Sequence, residues 1–239
     1  MNLLIYGISG HMGRLIEGLA EKDNYFDNIY GQDIDKAAAD SEEKYDLIID
    51  FSHPSSLDKI IEIARNDKIP ILIGTTGHSE AQLKEIEKIS EEIPVLKAAN
   101  MSLGMNILFS LVEKTAAILK DKADIEVIES HHNRKVDAPS GSAKTIVEYI
   151  ERGLGEKRKH QNGRSGECKR EEGEIGIHAI RGGNLVGFHE VDFINELETI
   201  KISHEAYDRS VFANGALTAA KFIVDKKPGL YTMKDVLNL

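Results

Sequence analysis

The chain has 239 residues, 41% of them hydrophobic, with 30 Lys+Arg against 40 Asp+Glu for a net charge of −10. That acidic balance excludes sequence-independent nucleic-acid binding, which depends on clustered cations, and leaves an anionic ligand only a locally arranged pocket. The single Cys168 excludes an intramolecular disulfide and a multi-cysteine metal centre. No apolar run approaches the roughly 20 residues of a membrane span. Met1 to Tyr6 reaches a glycine turn too soon, and lacks the basic flank, for a signal peptide; a cytoplasmic globular protein is expected.

In chain order, Leu3–Tyr6 reads as a strand, His11–Glu21 as a helix, and Asn28–Asp33 and Asp46–Asp50 as strands. Helix-like Ser55–Asn66, strand Pro70–Ile73, helix Ser79–Ser90 and strand Pro94–Lys97 follow. Strands alternating with helices imply crossover units and a parallel sheet, hence a Rossmann-like doubly wound first domain. From Ile125 the pattern changes: Ile125–Glu129, Glu174–Ile180, Asn184–Phe193 and Glu198–His204 alternate as strands of an antiparallel or mixed sheet. A helix runs from Ser140 to about Arg152, Gly153–Gly173 reads as a mobile polar loop, and Gly215–Asp225 as a small-residue helix. The fold class is therefore α/β, a Rossmann-like sheet plus a second α+β domain with an open mixed sheet. The expected division is 1–102 with 212–239, and 103–211.

Gly7-Ile8-Ser9-Gly10-His11-Met12-Gly13 joins the first strand to the first helix. Glycines there let backbone approach a pyrophosphate at a helix N-terminus, although the same residues would serve a ligand-free turn. Asp33, about 20 residues on, is placed to bond the adenosine ribose; Asp35 nearby could equally be a solvated turn residue. Ile34 follows it rather than an Arg for a 2′-phosphate, which tilts the cofactor towards NADH. Gly74-Thr75-Thr76-Gly77 ends a strand and could line a cofactor crevice or make a turn with a Thr cap.

Glu129 to Lys144 is the most chemically loaded segment, with His131, His132, Arg134, Lys135, Asp137 and the turn Ser140-Gly141-Ser142. Imidazole exchanges protons near neutral pH, and a Lys in a cationic pocket has a lowered pKa. The amides opening the following helix could bind a carboxylate; alternatively, Ser140 or Ser142 is only an N-cap and the histidines only solvated loop. A metal site built from His131, His132, His178, His189 and His204 is disfavoured, because adjacent histidines on an extended chain point to opposite sides. No HExxH occurs, and no metal is expected. Cys168, in a loop without a rigid scaffold, is read as incidental.

Glu129 to Ala143 resembles the signature E-x-H-H-x-x-K-x-D-A-P-S-G-T-A of the 4-hydroxy-tetrahydrodipicolinate (dihydrodipicolinate) reductase family, with Ser142 in the Thr position. Supporting matches are Gly7–Gly13, Asp50-Phe51-Ser52 and Pro54, Gly74–Gly77, Ala98–Ser102, Arg181-Gly182-Gly183, Gly187 with His189–Val191, and His204, Arg209 and Phe212–Ala216. The resemblance implies an NAD(P)H-dependent reductase of diaminopimelate and lysine biosynthesis. It implies a homotetramer that acts on a small dicarboxylate. By the same match, Gly7, Ile8, Ser9, Gly10, His11 and Met12 would hold the pyrophosphate, and Asp33 the ribose. Gly74, Thr75, Thr76, Ala98, Ala99, Asn100 and Met101 would line the nicotinamide side. His131 and Lys135 would be the proton-transfer pair, and His132, Ser140, Gly141 and Ser142 would bind substrate.

Departures from the family pattern are His11 for a common Arg, Ile34 for a basic residue, Met101 for Phe, Phe188 for Glu, and Glu205 for a basic residue. The first two favour NADH, with NADPH possible and Lys36 the reservation. The chain is also short between Asp33 and Asp46, where an adenosine-side helix would be trimmed.

Overall fold

A computed structural model describes residues 1–34 and 43–239. Asp35, Lys36 and most of the short stretch before Asp46 lie outside the described residues. The chain divides into two compact units, Met1–Leu103 with Ser210–Leu239, and Gly104–Arg209.

The first unit begins with β1 (Asn2–Tyr6), α1 (His11–Ala20), β2 (Asn28–Gln32), β3 (Leu47–Asp50), α2 (Leu57–Asp67), β4 (Ile71–Ile73), α3 (Glu80–Ser90) and β5 (Pro94–Lys97). The second unit holds α4 (Leu103–Leu119, whose first residue belongs to the first unit), β6 (Asp124–His131), α5 (Gly141–Leu154), β7 (His160–Asn162), β8 (Ile175–Arg181), β9 (Gly187–Ile194) and β10 (Thr199–Ala206). The chain then returns to the first unit through α6 (Ser210–Ile223), β11 (Gly229–Tyr231) and α7 (Met233–Leu237).

All pairings in the first sheet are parallel, in the order β11-β5-β4-β3-β1-β2. Strand side chains alternate between faces, so one strand feeds two cores. Leu3 and Ile5 of β1 join Ile16 of α1, the alanines of α6, and Met233. Leu4 and Tyr6 join Ile60 and Ala64 of α2, and Ile86 and Ile89 of α3. A sheet covered on both faces needs near-continuous apolar strands, which is why Leu47–Ile49 and Ile71–Ile73 carry no polar residue.

The second sheet is mixed, in the order β10-β9-β6-β8-β7; β6 runs antiparallel to β9 and parallel to β8. Ile125 and Val127 of β6 face a core built with α4 (Phe109, Val112) and α5 (Ile146, Ile150). The opposite face carries polar groups such as Glu126, which is bonded to His178.

Two expectations are corrected here. The segment Gly153–Gly173 contains the end of α5 and strand β7, and arginines tie it down: Arg164 to Glu174, and Arg170 to Glu126 and the Glu174 carbonyl. Helix α4 is absent from the pattern read in the sequence. Ile107, Leu111 and Ile118 are exposed while Leu108 and Val112 are buried, so the helix shows no clean apolar stripe.

Candidate active site

The glycine turn after β1 is built by close backbone approach. Gly7 has φ +84°, and a Cβ there would lie 2.5 Å from the Phe51 carbonyl oxygen. A Cβ on Gly13 would lie 2.2 Å from the Gly7 carbonyl oxygen, so glycine is what lets α1 start against β1. Gly10 is the N-cap of α1 and has no side chain to close the first amides, and no acidic residue occupies the first turn. An N-terminus of that kind favours an anion. The Ser9 N–H donates to Asp33 Oδ1 at 3.2 Å, which places the acid beside the turn. Ile8 and Met12 pack on the core, whereas His11 and Ile34 are exposed. These residues fit a dinucleotide: a helix start that no side chain caps, a glycine cradle, and a carboxylate alongside.

At the ends of β3 and β4, Gly74 lies under the Phe51 ring, whose Cζ would be 2.3 Å from a Cβ. Thr75 is buried and its Oγ1 accepts from the Ser52 N–H at 2.9 Å, while Thr76 is exposed. Buried Asp50 accepts from the Ser52 N–H and hydroxyl at 3.0 and 2.5 Å; burial still pushes its carboxyl up. After β5, the Ala98 N–H donates to the Ile73 carbonyl, Ala99 is exposed, and Asn100 Oδ1 accepts from the Ser102 N–H. The Met101 side chain is 2% exposed in the first core, which leaves its backbone to meet a ligand.

In the second unit the site forms where β6 ends. Residues two apart share a face, so Glu129 and His131 point together towards the start of α5 while His132 turns away. Glu129 is fully buried and accepts from His131 Nδ1 at 2.6 Å, from Arg181 Nη1 and Nη2 at 2.7 Å each, and from the Ser140 N–H at 3.0 Å. Burial alone would raise this carboxyl; the hydrogen bonds from His131, Arg181 and Ser140 outweigh it and hold it at about 2. Arg181 also donates to the Asp137 carbonyl, and the Gly182 N–H to the His131 carbonyl. The far nitrogen of His131, Nε2, lies 3.3 Å from where a Cβ on Gly187 would stand.

Behind His131 sits His189, 3% exposed, with ring centroids 5.1 Å apart. Burial, then the charge of His131, pushes His189 down to about 4, so it is neutral at pH 7. Its Nε2 meets the Ser140 hydroxyl at 3.3 Å, and that hydroxyl also accepts from the Ala143 N–H. Ser140 is therefore a buried N-cap whose N–H and hydroxyl are engaged within the protein.

The exposed side of the site is cationic. His132 Nε2 accepts from Arg209 Nη2 at 3.3 Å; burial and then Arg134 and Arg209 lower its pKa. Lys135 Nζ pairs with Asp137 Oδ1 at 2.9 Å. Gly141 and Ser142 begin α5; the Gly141 N–H donates to the Asp137 carboxylate, and a Cβ on Gly141 would meet nothing within 4 Å.

Glu129, Arg181, His189, Gly187 and Arg209 were not assigned roles from the sequence. The only signal was that Glu129, Arg181, Gly187, His189 and Arg209 fall among the matched residues. Cys168 is exposed, and among the described residues no cluster of His, Cys, Asp or Glu could hold a metal ion. No helix among them is long and apolar enough to cross a membrane.

Family models for dihydrodipicolinate reductase match the chain end to end, the N-terminal model over residues 1–101 and the C-terminal model over 104–237. A 4-hydroxy-tetrahydrodipicolinate reductase of Alkaliphilus oremlandii is 66% identical over 239 residues, covering 100% of this chain and 99% of that protein. One of Caldanaerobacter subterraneus is 44% identical over 247 residues, covering 99% and 98%. A dipicolinate-bound dihydrodipicolinate reductase structure from Paenisporosarcina aligns with TM-score 0.73 at 22% identity, covering 97% of each chain.

Proposed function

The chain belongs to the dihydrodipicolinate reductase family, and from that premise we propose how its own residues carry the reaction. It is an oxidoreductase of diaminopimelate and lysine biosynthesis. It reduces 4-hydroxy-tetrahydrodipicolinate to tetrahydrodipicolinate with NAD(P)H and loss of water. The assignment of residues is carried by one observation: Nε2 of buried His131, Lys135 and the first turn of α5 are gathered by a single segment, Glu129 to Ser142.

The substrate is a dicarboxylate, as is the dipicolinate bound by the Paenisporosarcina reductase. One carboxylate would take the Gly141 and Ser142 amides, where the open space at Gly141 admits a ligand atom. Lys135 and His132 would meet the substrate's negative charge, with Lys135 and the Gly141 amide both exchanging Asp137 for a substrate group. Ser140 would act from behind, holding the helix start in place. As hydride adds to the conjugated imine, negative charge develops on the ring, and His131 or Lys135 supplies the proton that quenches it.

In the first unit Gly7, Ile8, Ser9, Gly10, His11 and Met12 would hold the pyrophosphate and Asp33 the ribose. Gly74, Thr75, Thr76 and the backbone of Ala98–Met101 would flank the nicotinamide. When bound, the dihydronicotinamide supplies the hydride. NADH is the preferred form: the Asp33 carboxylate would repel a 2′-phosphate, and its exposed neighbour Ile34 offers no compensating charge. A cytoplasmic homotetramer, which the resemblance implies, completes the reading.

The test follows oxidation of NADH and NADPH with substrate made freshly from pyruvate and aspartate semialdehyde, for the parent, His131→Gln and Lys135→Ala. Turnover in the parent, faster with NADH, and kcat falling about 10²-fold or more in both variants is the expected result. Unchanged kcat in either variant would remove that residue from the proton-transfer pair. Equal or better use of NADPH would overturn the cofactor preference.

A further inference from the structure

Glu129 takes no part in the proton transfer assigned above, yet its carboxylate is wholly buried and both oxygens are committed. Oε1 accepts from the Ser140 N–H and Arg181 Nη2, and Oε2 accepts from Arg181 Nη1 and His131 Nδ1. A buried carboxylate is costly unless it is paired, and Arg181 supplies the pairing. Held at about 2, the group is ionised wherever an enzyme would work, so it can only accept. His131 must then be the donor in their 2.6 Å hydrogen bond. The other groups facing His131 leave that logic intact: His189 on β9 is neutral, Arg181 on β8 is engaged by Glu129, and Lys135 pairs with Asp137.

We propose that Glu129, clamped by Arg181, is the positioning residue for proton transfer: it fixes the proton of neutral His131 on Nδ1 and leaves Nε2 to exchange with substrate. The proposal rests on the reading of His131 as proton donor. In the step itself the Nε2–H bond of the imidazolium breaks as a bond from hydrogen to the substrate forms. The electron pair stays on Nε2, and the neutral ring keeps its Nδ1–H on Glu129. Because the Ser140 amide shares Oε1, the same carboxylate ties the donor to the start of α5, where the substrate carboxylate would sit.

The first measurement is the ¹⁵N imidazole spectrum of the intact protein, taken at a pH where the ring is neutral, with the His131 signal assigned by its loss in His131→Gln. The Nδ1–H tautomer is expected; the Nε2–H tautomer would overturn the proposal, whether or not any variant folds. The second measurement is kinetic. Glu129→Gln should lower kcat by about 10²-fold or more with KM changed less than about threefold. In the His131→Gln background it should cost little more, because the two residues act as a unit. Losses that multiply in the double variant, or a full kcat in Glu129→Gln, would also overturn it. Full activity in His131→Gln alone would instead sink the proton-donor reading, so the two failures are distinguishable.

Discussion

Ser140 and Gly141 are neighbours at the start of α5 with opposite relations to the protein around them. The Ser140 hydroxyl accepts from the Ala143 N–H at 3.1 Å and meets His189. Ser140→Ala should therefore cost about 1–2 kcal/mol of stability, the usual worth of a lost N-cap, seen as a lower urea midpoint. Gly141 touches nothing where its Cβ would stand, so Gly141→Ala should leave stability within about 0.5 kcal/mol. The methyl group would instead occupy space assigned to a substrate carboxylate, and KM should rise about tenfold or more, a loss of about 1.4 kcal/mol of binding. An unchanged KM would move the substrate away from this helix end. The sequence exposed both residues as one Ser-Gly-Ser turn but could not separate them. What separates them is His189, 49 positions further along the chain.

Among elements, the β1–α1 turn offers a similar contrast between fold and ligand. Gly13→Ala would drive a methyl group to 2.2 Å from the Gly7 carbonyl oxygen and 2.6 Å from Ile8 Cα, contacts that only a shift of the helix relieves. It should destabilise the protein by about 1–3 kcal/mol, as overpacking does, and weaken NADH binding with it. Gly10 has φ −70°, and its Cβ would meet only the Gly7 carbonyl oxygen at 3.1 Å. Gly10→Ala should then lower the melting temperature less than Gly13→Ala does while raising the NADH Kd by about tenfold, read by titrating nucleotide fluorescence. The glycine turn was legible because its steric demands are local. So were β1, β3, β4 and β5, whose burial on two faces makes them continuously apolar. Strand β7, three polar residues, becomes a strand only by pairing with β8, and β11 only by pairing with β5. Such pairings are long-range and leave no periodic trace. The role of Glu129 was hidden in the same way, since Arg181 stands 52 positions away.

For the whole molecule, the two units should respond differently to mild acid. In the second, His189 is pushed down to about 4 and Glu129 to about 2. Each folded pKa lies below its unfolded value, so the unfolded chain binds more protons and stability is lost as pH falls. For His189 the loss runs from about 6.5 to about 4, and for Glu129 from about 4.5 to about 2. In the first unit, burial raises Asp50, so the folded state takes up a proton first and gains stability as pH falls. His78, lowered chiefly by burial, opposes that gain. Between pH 7 and 5 the acid cost should therefore fall on β6, β8 and β9 before it reaches β1, β3 and β4. Hydrogen exchange corrected for intrinsic rates would show protection falling first in the peptides of the second sheet. In His189→Gln, which has no proton to take up, that difference should shrink. If both sheets lose protection together, or the variant keeps the parent's pH dependence, then His189 is not the group that makes the second unit acid-sensitive.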